Sequence, residues 1–589
     1  MLKKVFSPFS LNKFLFLLIP LIFIGIATRF VWLDKIPVGI THDDTDVILS
    51  AKSYWEIGKD ISGTTFPQSL FFNNTAGNIS GLPSLLLAPF IGPFKLSLFY
   101  THLLYVLINV LTLVFISLLS FYFYRNFKLA VFIFLAGLFN PWMFVYSRYP
   151  TEAPFALLFA VIAIYVMFRK QAFNILLSTL FFILSFYSYF GAKVVIPLLF
   201  LPVLLIRFFE KGKDFVNLKT YIFSLCLFVL LIGGYFFVVL SSSSGTFNRR
   251  AAGEFIFSNI NSYQNSVNEI RRASIDFPFK NLFFNKYTLV FKDVASKYFG
   301  WVNSDFLFVF GDPISVYRFG EHGLFYFMDV IFVLSGFFWL FVRRNAKFRY
   351  VSLLLLTLVV VAPIGSSISI MGTSYFFRAF LLIPVGVMII GYGMYYLYTN
   401  ILKIKYYLLF ILLFLLYLLF FINFLVFYFF RYPVKQQDNQ FLEERILASY
   451  LTRAKNKGLT VGVDVANTIS SYNLYTFYSG SLDRKFIPHF EGSIGINLTG
   501  IKFTDNCKAD AASEIQIYDI KLNCPKEKDR YVVIQNQKDA GYQYYIYNDK
   551  VCENEKLDVY RRTHELRDYA VENLTDAQFC NKWIFKGIN

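Results

Sequence analysis

The chain has 589 residues, of which 56% are hydrophobic and only 16% are charged. A soluble globular protein carries about 25% charged residues, and here the apolar residues fall into long blocks, so the composition excludes a soluble globular chain and indicates a polytopic membrane protein. The formal net charge of +18 comes mostly from short loops between the apolar blocks, a distribution that sets membrane topology and gives no support to nucleic-acid binding.

The first apolar block, residues 14–33, follows Lys3, Lys4 and Lys13 as it would in a secretory signal peptide. However, it is too long for the apolar region of a signal peptide, and it lacks a small-x-small cleavage site. We therefore expect this block to be retained as a membrane span.

Apolar stretches near the roughly 20 residues that cross a bilayer predict eleven spans along the chain. The predicted spans are residues 14–33, 97–122, 129–147, 153–168, 173–190, 194–209, 221–240, 324–342, 350–369, 379–399 and 406–430. A further apolar stretch, "GLPSLLLAPFIGPF" (81–94), is suited to a re-entrant or interfacial helix as well as to a crossing.

Basic residues occur at the N-terminus and in every second loop after it, and the positive-inside rule places such loops in the cytoplasm. They are Lys3, Lys4, Lys13, Arg125, Lys128, Arg169, Lys170, Lys211, Lys213, Lys219, Arg343, Arg344, Lys347, Arg349, Lys403 and Lys405. The intervening segments are then extracytoplasmic, among them the outer loops 34–82 and 241–323 and everything after the last span. The sequence has no internal repeat of the kind that builds transporters.

The composition changes after the last span, which divides the chain into a membrane part, 1–430, and a C-terminal part, 431–589. The C-terminal part carries mixed charge, a helical pattern at 441–458 and strand-like runs at 459–465, 530–536 and 542–548. These features predict a soluble extracytoplasmic α/β domain of ordinary size.

Four of the five cysteines lie in this C-terminal part, and their spacing matches no paired C-x-x-C zinc pattern. In an extracytoplasmic compartment the expected use is two structural disulfides, for which three pairings are open. The four are Cys507, Cys524, Cys552 and Cys580. Cys226 lies within a predicted span and is expected to serve packing.

The stretch "THDDTDVILSAKSY" (41–54) is the densest acidic cluster next to a predicted span. Thr41 and Asp44 have the spacing of a helix N-terminal cap, and the apolar residues that follow have helical periodicity. Acidic residues in a first helical turn are stabilised by the helix dipole, which by itself accounts for Asp44 and Asp46. The helix dipole explains less well why His42 and Asp43 accompany them just outside the bilayer.

Several blocks of the membrane part, in the same order, resemble the polyprenyl-phosphate-sugar-dependent glycosyltransferases of the GT-C superfamily. The resemblance is greatest to prokaryotic members of the protein O-mannosyltransferase and aminoarabinose transferase group. The blocks are the acidic pair opening the helix after the first span, "GKDISGTTFP" (58–67), "NPWMFVYSRYPTEA" (140–153), "SFYSYFGAKVVIP" (185–197), "SDFLFVFGDPISVYRFGEHGLFY" (304–326) and "APIGSSISIMGTSYFFRAFLLIP" (362–384). The C-terminal part resembles the family only loosely, through "YNLYTFYSGS" (472–481).

The resemblance implies a GT-C fold and transfer of a sugar, with inversion, from a polyprenyl-phosphate donor to an acceptor outside the membrane. Asp43 matches the acidic residue that acts as base in the family, and Asp44 stands where relatives have Glu, a departure that shortens the second carboxylate. A hydroxyl that attacks the anomeric carbon must lose its proton as the bond forms, and a carboxylate can accept it. The sugar, a hexose or a pentose, and the acceptor, a protein, a lipid or a glycan, stay open.

The departing lipid phosphate requires cationic side chains, and charged residues at membrane depth are candidates for that role. The candidates are Arg148, Lys193, Arg318, His322 and Arg378, with Arg378 and Arg148 ranked first. For any single one of them, an interfacial position of the charged group is the simpler explanation. Further candidates for acceptor binding or support of the site are His42, Asp46, His102 and Glu152.

Two other classes of function and a metal stay open. A lipid-linked-sugar flippase also needs internal cations, although transporter sites lie near the bilayer midplane and not in an outer acidic cluster. In a surface-binding protein the membrane part would only be an anchor, for which eleven spans with buried charges are excessive. Many relatives need no metal, but Asp43, Asp44 and Asp46 have the oxygen ligands that Mg²⁺ or Mn²⁺ would use.

Overall fold

A computed structural model describes residues 11–72, 79–211, 218–241, 246–312, 322–342, 346–370, 372, 376–403, 407–433, 441–480, 482, 496–498, 500–505, 507, 513–522, 524, 530–535, 540–552 and 571–586. The described part is mainly helical, with a small sheet near the C-terminus. It is an α-helical membrane protein with a C-terminal α/β region, as the sequence predicts.

Nineteen α-helices, counted within the described residues, precede the C-terminal α/β region. They are α1 (Leu11–Ala27), α2 (His42–Ile57), α3 (Gly81–Ile91), α4 (Leu98–Tyr124), α5 (Phe127–Phe139), α6 (Pro141–Tyr146), α7 (Ala153–Met167), α8 (Phe173–Ser188), α9 (Ala192–Lys211), α10 (Leu218–Leu240), α11 (Thr246–Glu254), α12 (Tyr263–Arg272), α13 (Lys280–Phe283), α14 (Lys286–Gly300), α15 (Asp329–Val342), α16 (Ala346–Val361), α17 (Ile364–Ser367), α18 (Leu382–Lys403) and α19 (Tyr407–Val426).

Six helical stretches of the described residues are long and apolar enough to cross a membrane. They coincide with predicted spans and comprise Leu98–Tyr124, Ala192–Glu210, Leu218–Leu240, Phe348–Ser367, Leu382–Asn400 and Leu412–Arg431. The other five predicted spans coincide with the shorter apolar helices α1, α5 with α6, α7, α8 and α15. The sequence alone therefore locates every apolar block but overstates the length of the continuous helix in these five.

The predicted span 129–147 is interrupted because Asn140 ends α5 and starts α6. The Asn140 side chain accepts a hydrogen bond from the Met143 N–H, and Pro141 occupies the first position of α6. An amide cap followed by proline favours a new helix start over continuation of the old one. The apolar stretch 81–94 forms the 11-residue helix α3, too short to cross a bilayer.

Helix α2 begins where the acidic cluster predicts it. Thr41 is the N-cap, its side chain accepts a hydrogen bond from the Asp44 N–H at 3.3 Å, and Gly58 ends the helix with a φ of 72°. A left-handed backbone at this position favours glycine because no Cβ clashes there. The first turn of α2 thus carries Asp43 and Asp44.

The C-terminal α/β region has one mixed sheet of seven strands among the described residues, in the order β2-β3-β1-β4-β6-β5-β7. The strands are β1 (Val461–Asp464), β2 (Ile496–Leu498), β3 (Ile501–Thr504), β4 (Ile515–Asp519), β5 (Arg530–Gln535), β6 (Ala540–Tyr547) and β7 (Ile584–Lys586). Strand β1 pairs in parallel with β3 and β4, and the other pairs are antiparallel. The three predicted strands correspond to β1, β5 and β6.

Three α-helices accompany the sheet among the residues that the structure describes in this region: α20 (Leu442–Asn456), α21 (Thr468–Ser479) and α22 (Asp576–Trp583). Their apolar faces and the central strands form one buried cluster, which includes Ile446, Val463 and Trp583. The structure pairs Cys507 with Cys524 and Cys552 with Cys580, while Cys226 carries a free thiol.

A separate buried cluster joins the C-terminal region to the membrane part. It combines Val47 and Ile48 of α2 with Leu474 and Phe477 of α21, together with residues of α3 and α4. Burial of these side chains from both parts of the chain fixes α2 against α21.

Candidate active site

The first turn of α2 faces a polar cavity that is partly open to solvent. The walls come from six places in the chain: α2, the segment before α3, the start of α7, the residue after α8, the end of α11 and the segment before α18. The lining residues are Asp43, Asp44, Val47, Ile79, Thr151, Glu152, Ala153, Tyr189, Arg250, Glu254, Phe377 and Arg378. The cavity therefore brings together four carboxylates and two guanidinium groups from distant segments.

Asp43 is exposed to the cavity, whereas Asp44 is buried, with 1% of its surface exposed. The protein around the cavity shields Asp43 from bulk water, and this desolvation raises the pKa of its carboxyl. Arg250 opposes the shift and Glu254 adds to it. A carboxylate that meets the cavity with a raised pKa is suited to accept a proton from a bound molecule.

Glu152 precedes α7 and forms the second carboxylate wall of the cavity. Its Oε1 accepts a hydrogen bond from the Ser80 N–H, and the Ser80 hydroxyl accepts one from Lys193 Nζ at 3.1 Å. Burial raises the pKa of Glu152, and Arg250, Lys193 and the Ser80 N–H act in the opposite direction. Lys193, predicted as a phosphate ligand, thus lies beside the cavity as a buried partner of Ser80 and Glu152 and is absent from the cavity lining.

Two arginines of the cavity lining share one carboxylate. Arg250 Nε lies 2.7 Å from Glu254 Oε1, and Arg378 Nη2 lies 3.0 Å from Glu254 Oε2. Arg378 also donates a hydrogen bond to the Ser369 hydroxyl. We call Arg250, Glu254 and Arg378 the arginine–glutamate cluster.

Three neighbouring carboxylates keep the Arg250 guanidinium charged. Burial lowers its pKa, but Glu254, Glu152 and Asp43 outweigh that effect, so the pKa lies above the ordinary value. Arg250 therefore stays protonated in the cavity and interacts electrostatically with the carboxylates of Glu254, Glu152 and Asp43.

The arginine–glutamate cluster also borders a second, smaller cavity. Tyr189 and all three members of the cluster line both cavities. The two arginines therefore stand between two adjoining spaces, one bounded by the acids of α2 and α7 and the other by α9 and α17.

The sequence reasoning identified Arg378 and Asp43 but missed Arg250 and Glu254. Both missed residues lie in α11, in the predicted outer loop after α10, where they form an i, i+4 pair. An Arg–Glu pair at helical spacing just after a span would have been a signal, but such a pair is more often a surface ion pair.

Arg148, ranked first with Arg378, does not line the cavity. Its guanidinium is fully buried and donates to backbone carbonyls of Thr28, Arg29, Val31 and Ile36. It also lies 5.1 Å from the ring centre of Phe429. These bonds tie down the segment between α1 and α2, so the structure does not support the predicted phosphate role of Arg148.

The remaining predicted residues also have structural partners outside the cavity. His102 Nδ1 lies 2.7 Å from the Leu33 carbonyl oxygen, and His322 Nδ1 lies 3.2 Å from the Gly323 oxygen. His42 stacks on Phe441 at 4.0 Å, and burial, with a contribution from Lys521, lowers its pKa to about 4. Arg318 lies outside the described residues.

Asp46 accepts a hydrogen bond from the Asn473 amide at 2.8 Å and belongs to the contact with α21. No group of three His, Cys, Asp or Glu side chains suited to hold a metal occurs in the part of the chain that the structure describes. Asp43 and Asp44 thus lack a third ligand of this kind there, and we derive no metal-dependent step.

Fold and cavity together define a membrane protein with several spans, whose carboxylate and arginine side chains meet in a cavity beside a C-terminal α/β region. No family model matches the chain, and no curated protein matches it in sequence.

Solved structures with a similar course of the chain include two membrane enzymes. One is the archaeal oligosaccharyltransferase AglB from Archaeoglobus fulgidus, in complex with an inhibitory peptide and a dolichol-phosphate, at 10% identity and a TM-score of 0.46, covering 90% of this chain and 74% of that one. Another is ArnT from Cupriavidus metallidurans bound to undecaprenyl phosphate, at 10% identity and a TM-score of 0.48, covering 91% and 98%. At these TM-scores the similarity carries no weight for function, which has to rest on this chain's own residues.

Proposed function

We propose that this protein is a membrane glycosyltransferase of the GT-C type, which moves a sugar from a polyprenyl-phosphate donor to an acceptor hydroxyl outside the cytoplasmic membrane. The observation that carries the proposal is the presence, in the lining of one cavity, of the Asp43 carboxylate and the guanidinium groups of Arg250 and Arg378. A proton acceptor and an anion site are the two groups that this reaction requires.

Asp43 is the general base. As the acceptor oxygen bonds to the anomeric carbon, the bond from that carbon to the phosphate oxygen breaks, and the acceptor proton passes to Asp43. The bonding electrons leave with the polyprenyl phosphate, and attack from the opposite side inverts the anomeric centre. Desolvation raises the pKa of Asp43, which strengthens it as a proton acceptor as long as the pH keeps it ionised.

Arg250 and Arg378 bind the phosphate as its negative charge grows. Guanidinium groups pair with phosphate oxygens through two parallel N–H bonds, and such charge-assisted bonds are about twice as strong as neutral ones. Each arginine is already held in place, Arg250 by Glu254 and Arg378 by Glu254 and Ser369. Preorganised donors of this kind stabilise a leaving anion without reorganisation at the moment of reaction.

Glu254 acts as the resting counter-ion of both arginines. It neutralises part of their charge, so a bound phosphate must compete with it. The donor is a phosphodiester with one negative charge, whereas the polyprenyl phosphate that departs gains a second. Competition with Glu254 therefore favours the departing phosphate over the intact donor, because the stronger charge better offsets the loss of the Glu254 contacts.

Glu152 and Lys193 support the acid side of the cavity. Their shared partner Ser80 connects them, and the buried ammonium and carboxylate partly balance each other. We assign them to shaping the acceptor side, close to Asp43.

The proposed topology follows from the sequence: a cytoplasmic N-terminus, with the cavity and residues 431–589 on the outer face. A reporter fused after residue 440 is expected to be active outside the cell, and one in 343–349 inside. The opposite result at either site would move the cavity to the cytoplasmic face and remove an extracytoplasmic acceptor from the proposal.

The decisive test uses purified protein in vesicles with polyprenyl-phosphate-linked sugars and candidate peptide, lipid and glycan acceptors. Mass spectrometry should detect a sugar transferred by the wild-type chain and not by Asp43→Asn. If lipid-linked sugar crossed the bilayer while transfer and donor hydrolysis were absent, the protein would be a flippase instead. The same assay with and without chelator tests the Mg²⁺ or Mn²⁺ requirement.

A further inference from the structure

Residues 275–299, which we call the aromatic segment, carry many large apolar side chains on their surface although no membrane-length apolar helix includes them. Seven of these side chains are between 60% and 90% exposed: Ile275, Phe279, Leu282, Phe283, Tyr287, Phe291 and Phe299. Single apolar side chains on a surface are ordinary, but a contiguous group indicates a surface that binds another molecule or a membrane.

The exposed side chains of α14 follow one side of that helix. At 3.6 residues per turn, Tyr287, Phe291 and Phe299 fall within an arc of about 120° around α14, and Val290, outside that arc, is buried. This helix thus turns three large aromatic side chains away from the rest of the protein.

The position of α14 places this apolar side next to the membrane-facing surface of a span. The Tyr298 hydroxyl donates a hydrogen bond to the Val360 carbonyl at 2.9 Å, close to the end of α16. Leu356 and Val360 of α16 are themselves exposed apolar residues of a helix long enough to cross a bilayer. The exposed rings therefore continue the apolar surface of the span beyond its end.

This end of α16 is also the end at which the cavity lies. The Ile370 N–H donates to the Glu254 carbonyl oxygen at 2.8 Å, and the Ile256 N–H donates to the Ile368 carbonyl oxygen at 3.0 Å. The chain that follows α16 thus packs against the end of α11, which carries Arg250 and Glu254.

The charge around the aromatic segment matches a membrane surface. Residues 263–300 contain six Lys or Arg and three Asp or Glu, an excess of positive charge. Lys280, Lys286 and Lys292 lie within the segment, and Lys286 Nζ lies 5.5 Å from the ring centre of Tyr287. Aromatic rings at the acyl boundary with lysines at the headgroups are typical of helices that lie on anionic bilayers.

We propose that the aromatic segment inserts into the interface of the bilayer leaflet next to the cavity. Its rings would lie among the outer parts of the acyl chains, and Lys280, Lys286 and Lys292 would contact anionic headgroups. This anchors the polypeptide that follows α11 at a fixed depth, and the anchor does not depend on the activity proposed above.

Nitroxide labels on single cysteines test the insertion in full-length protein in vesicles of phosphatidylcholine and phosphatidylglycerol. Cys226→Ser removes the free thiol, and the four paired cysteines do not react with the label. Labels are then placed by Phe291→Cys in α14 and by Asn265→Cys, an exposed polar position in α12 that serves as the matched control. Because both side chains are exposed, neither change is expected to unfold the protein.

We expect the label at 291 to collide more often with oxygen, and several-fold less often with a water-soluble nickel complex, than the label at 265. Equal access of the nickel complex at both positions would overturn insertion. Protection of 291 from both oxygen and nickel would also overturn it, because a second protein copy or another protein would then cover the segment. The lysines are proposed to bind anionic headgroups. If the label at 291 were equally shielded from the nickel complex in vesicles without phosphatidylglycerol, that role of the lysines would be overturned.

Discussion

The Asn473 side chain donates a 2.8 Å hydrogen bond to the Asp46 carboxylate, and both residues are buried. Asp46 lies one helical turn after Asp43 in α2, whereas Asn473 belongs to α21 of the C-terminal region. Two more bonds join the same parts: the Ile40 N–H donates to the Tyr478 hydroxyl at 3.1 Å, and Arg445 donates to the Val38 carbonyl at 2.6 Å. The C-terminal region therefore holds the segment that positions Asp43.

Substitution of Asn473 should reduce both stability and transfer. Asn473→Ala leaves the buried Asp46 without this donor, which typically costs about 1–3 kcal/mol. Asn473→Asp should cost more, because it places a second carboxylate beside Asp46. Thermal unfolding and transfer rate measure the two effects, with Ile469→Ala, a partly exposed position of the same helix, as the control. Equal behaviour of Asn473→Ala and the control would contradict a positioning role.

Asp43→Asn should lower transfer by at least about 10²-fold, the usual contribution of a positioned general base. Binding of the donor should change little, since the arginines hold the phosphate. Asp46 is unsuitable as a control because of its bond to Asn473, so Glu56→Gln in the same helix is the matched change from carboxylate to amide. A defect confined to Asp44→Asn would retain the mechanism and move the base by one residue. Equal, mild losses for Asp43→Asn and Glu56→Gln would disprove the assignment.

The dependence on pH follows from the raised pKa of Asp43. The base must be ionised, so transfer should fall as the pH drops through a value above the 3.8 of an ordinary aspartate. The stability of the protein should change with pH in the opposite direction. At neutral pH the ionised Asp43 carboxylate, shielded from water, destabilises the folded state, and protonation in acid removes this destabilisation. Asp43→Asn should therefore be at least as stable as the wild type at pH 7, with the advantage vanishing in acid. Thermal unfolding measured across pH checks this expectation. If Asp43 stabilised the fold through an ion pair, Asp43→Asn would be less stable than the wild type at pH 7.

Glu254→Gln should tighten the binding of a polyprenyl phosphate, because the amide no longer neutralises Arg250 and Arg378. We expect about a tenfold lower Kd, which corresponds to about 1.4 kcal/mol. Arg378→Gln should weaken binding by a similar factor, while Glu269→Gln and Arg349→Gln, changes at exposed positions outside the cavity, should leave it unaltered. Weaker binding in Glu254→Gln would mean that this residue mainly orders the arginines.

Arg148→Gln should act on folding and not on the donor. The Arg148 guanidinium donates hydrogen bonds to several backbone carbonyls between α1 and α2, which the shorter glutamine cannot reach. Each buried carbonyl left without its donor costs about 1–3 kcal/mol. We expect a clear drop in thermal stability with an unchanged KM for the donor in the protein that remains folded. A raised donor KM at unchanged stability would restore the predicted phosphate role.

Local patterns in the sequence were sufficient for much of the fold. The apolar blocks locate the membrane helices, and Thr41 locates the start of α2, because helix periodicity and capping depend on residues within one or two turns. The runs that form β1, β5 and β6 were visible for the same reason. The break at Asn140 and Pro141 was equally local and could have been read from these two residues.

Only the tertiary structure decided which charges meet. Arg378 and Glu254 lie 124 positions apart, and their pairing depends on how α11 packs beside the segment before α18. The apolar helix surfaces that drive this packing carry no directional signal in the sequence, so Arg148 and Arg378 looked alike although one binds backbone carbonyls and the other faces the cavity. The cysteine pairs and the bond between Asp46 and Asn473 were undetermined for the same reason: they join residues that only the packed chain brings within a few ångströms.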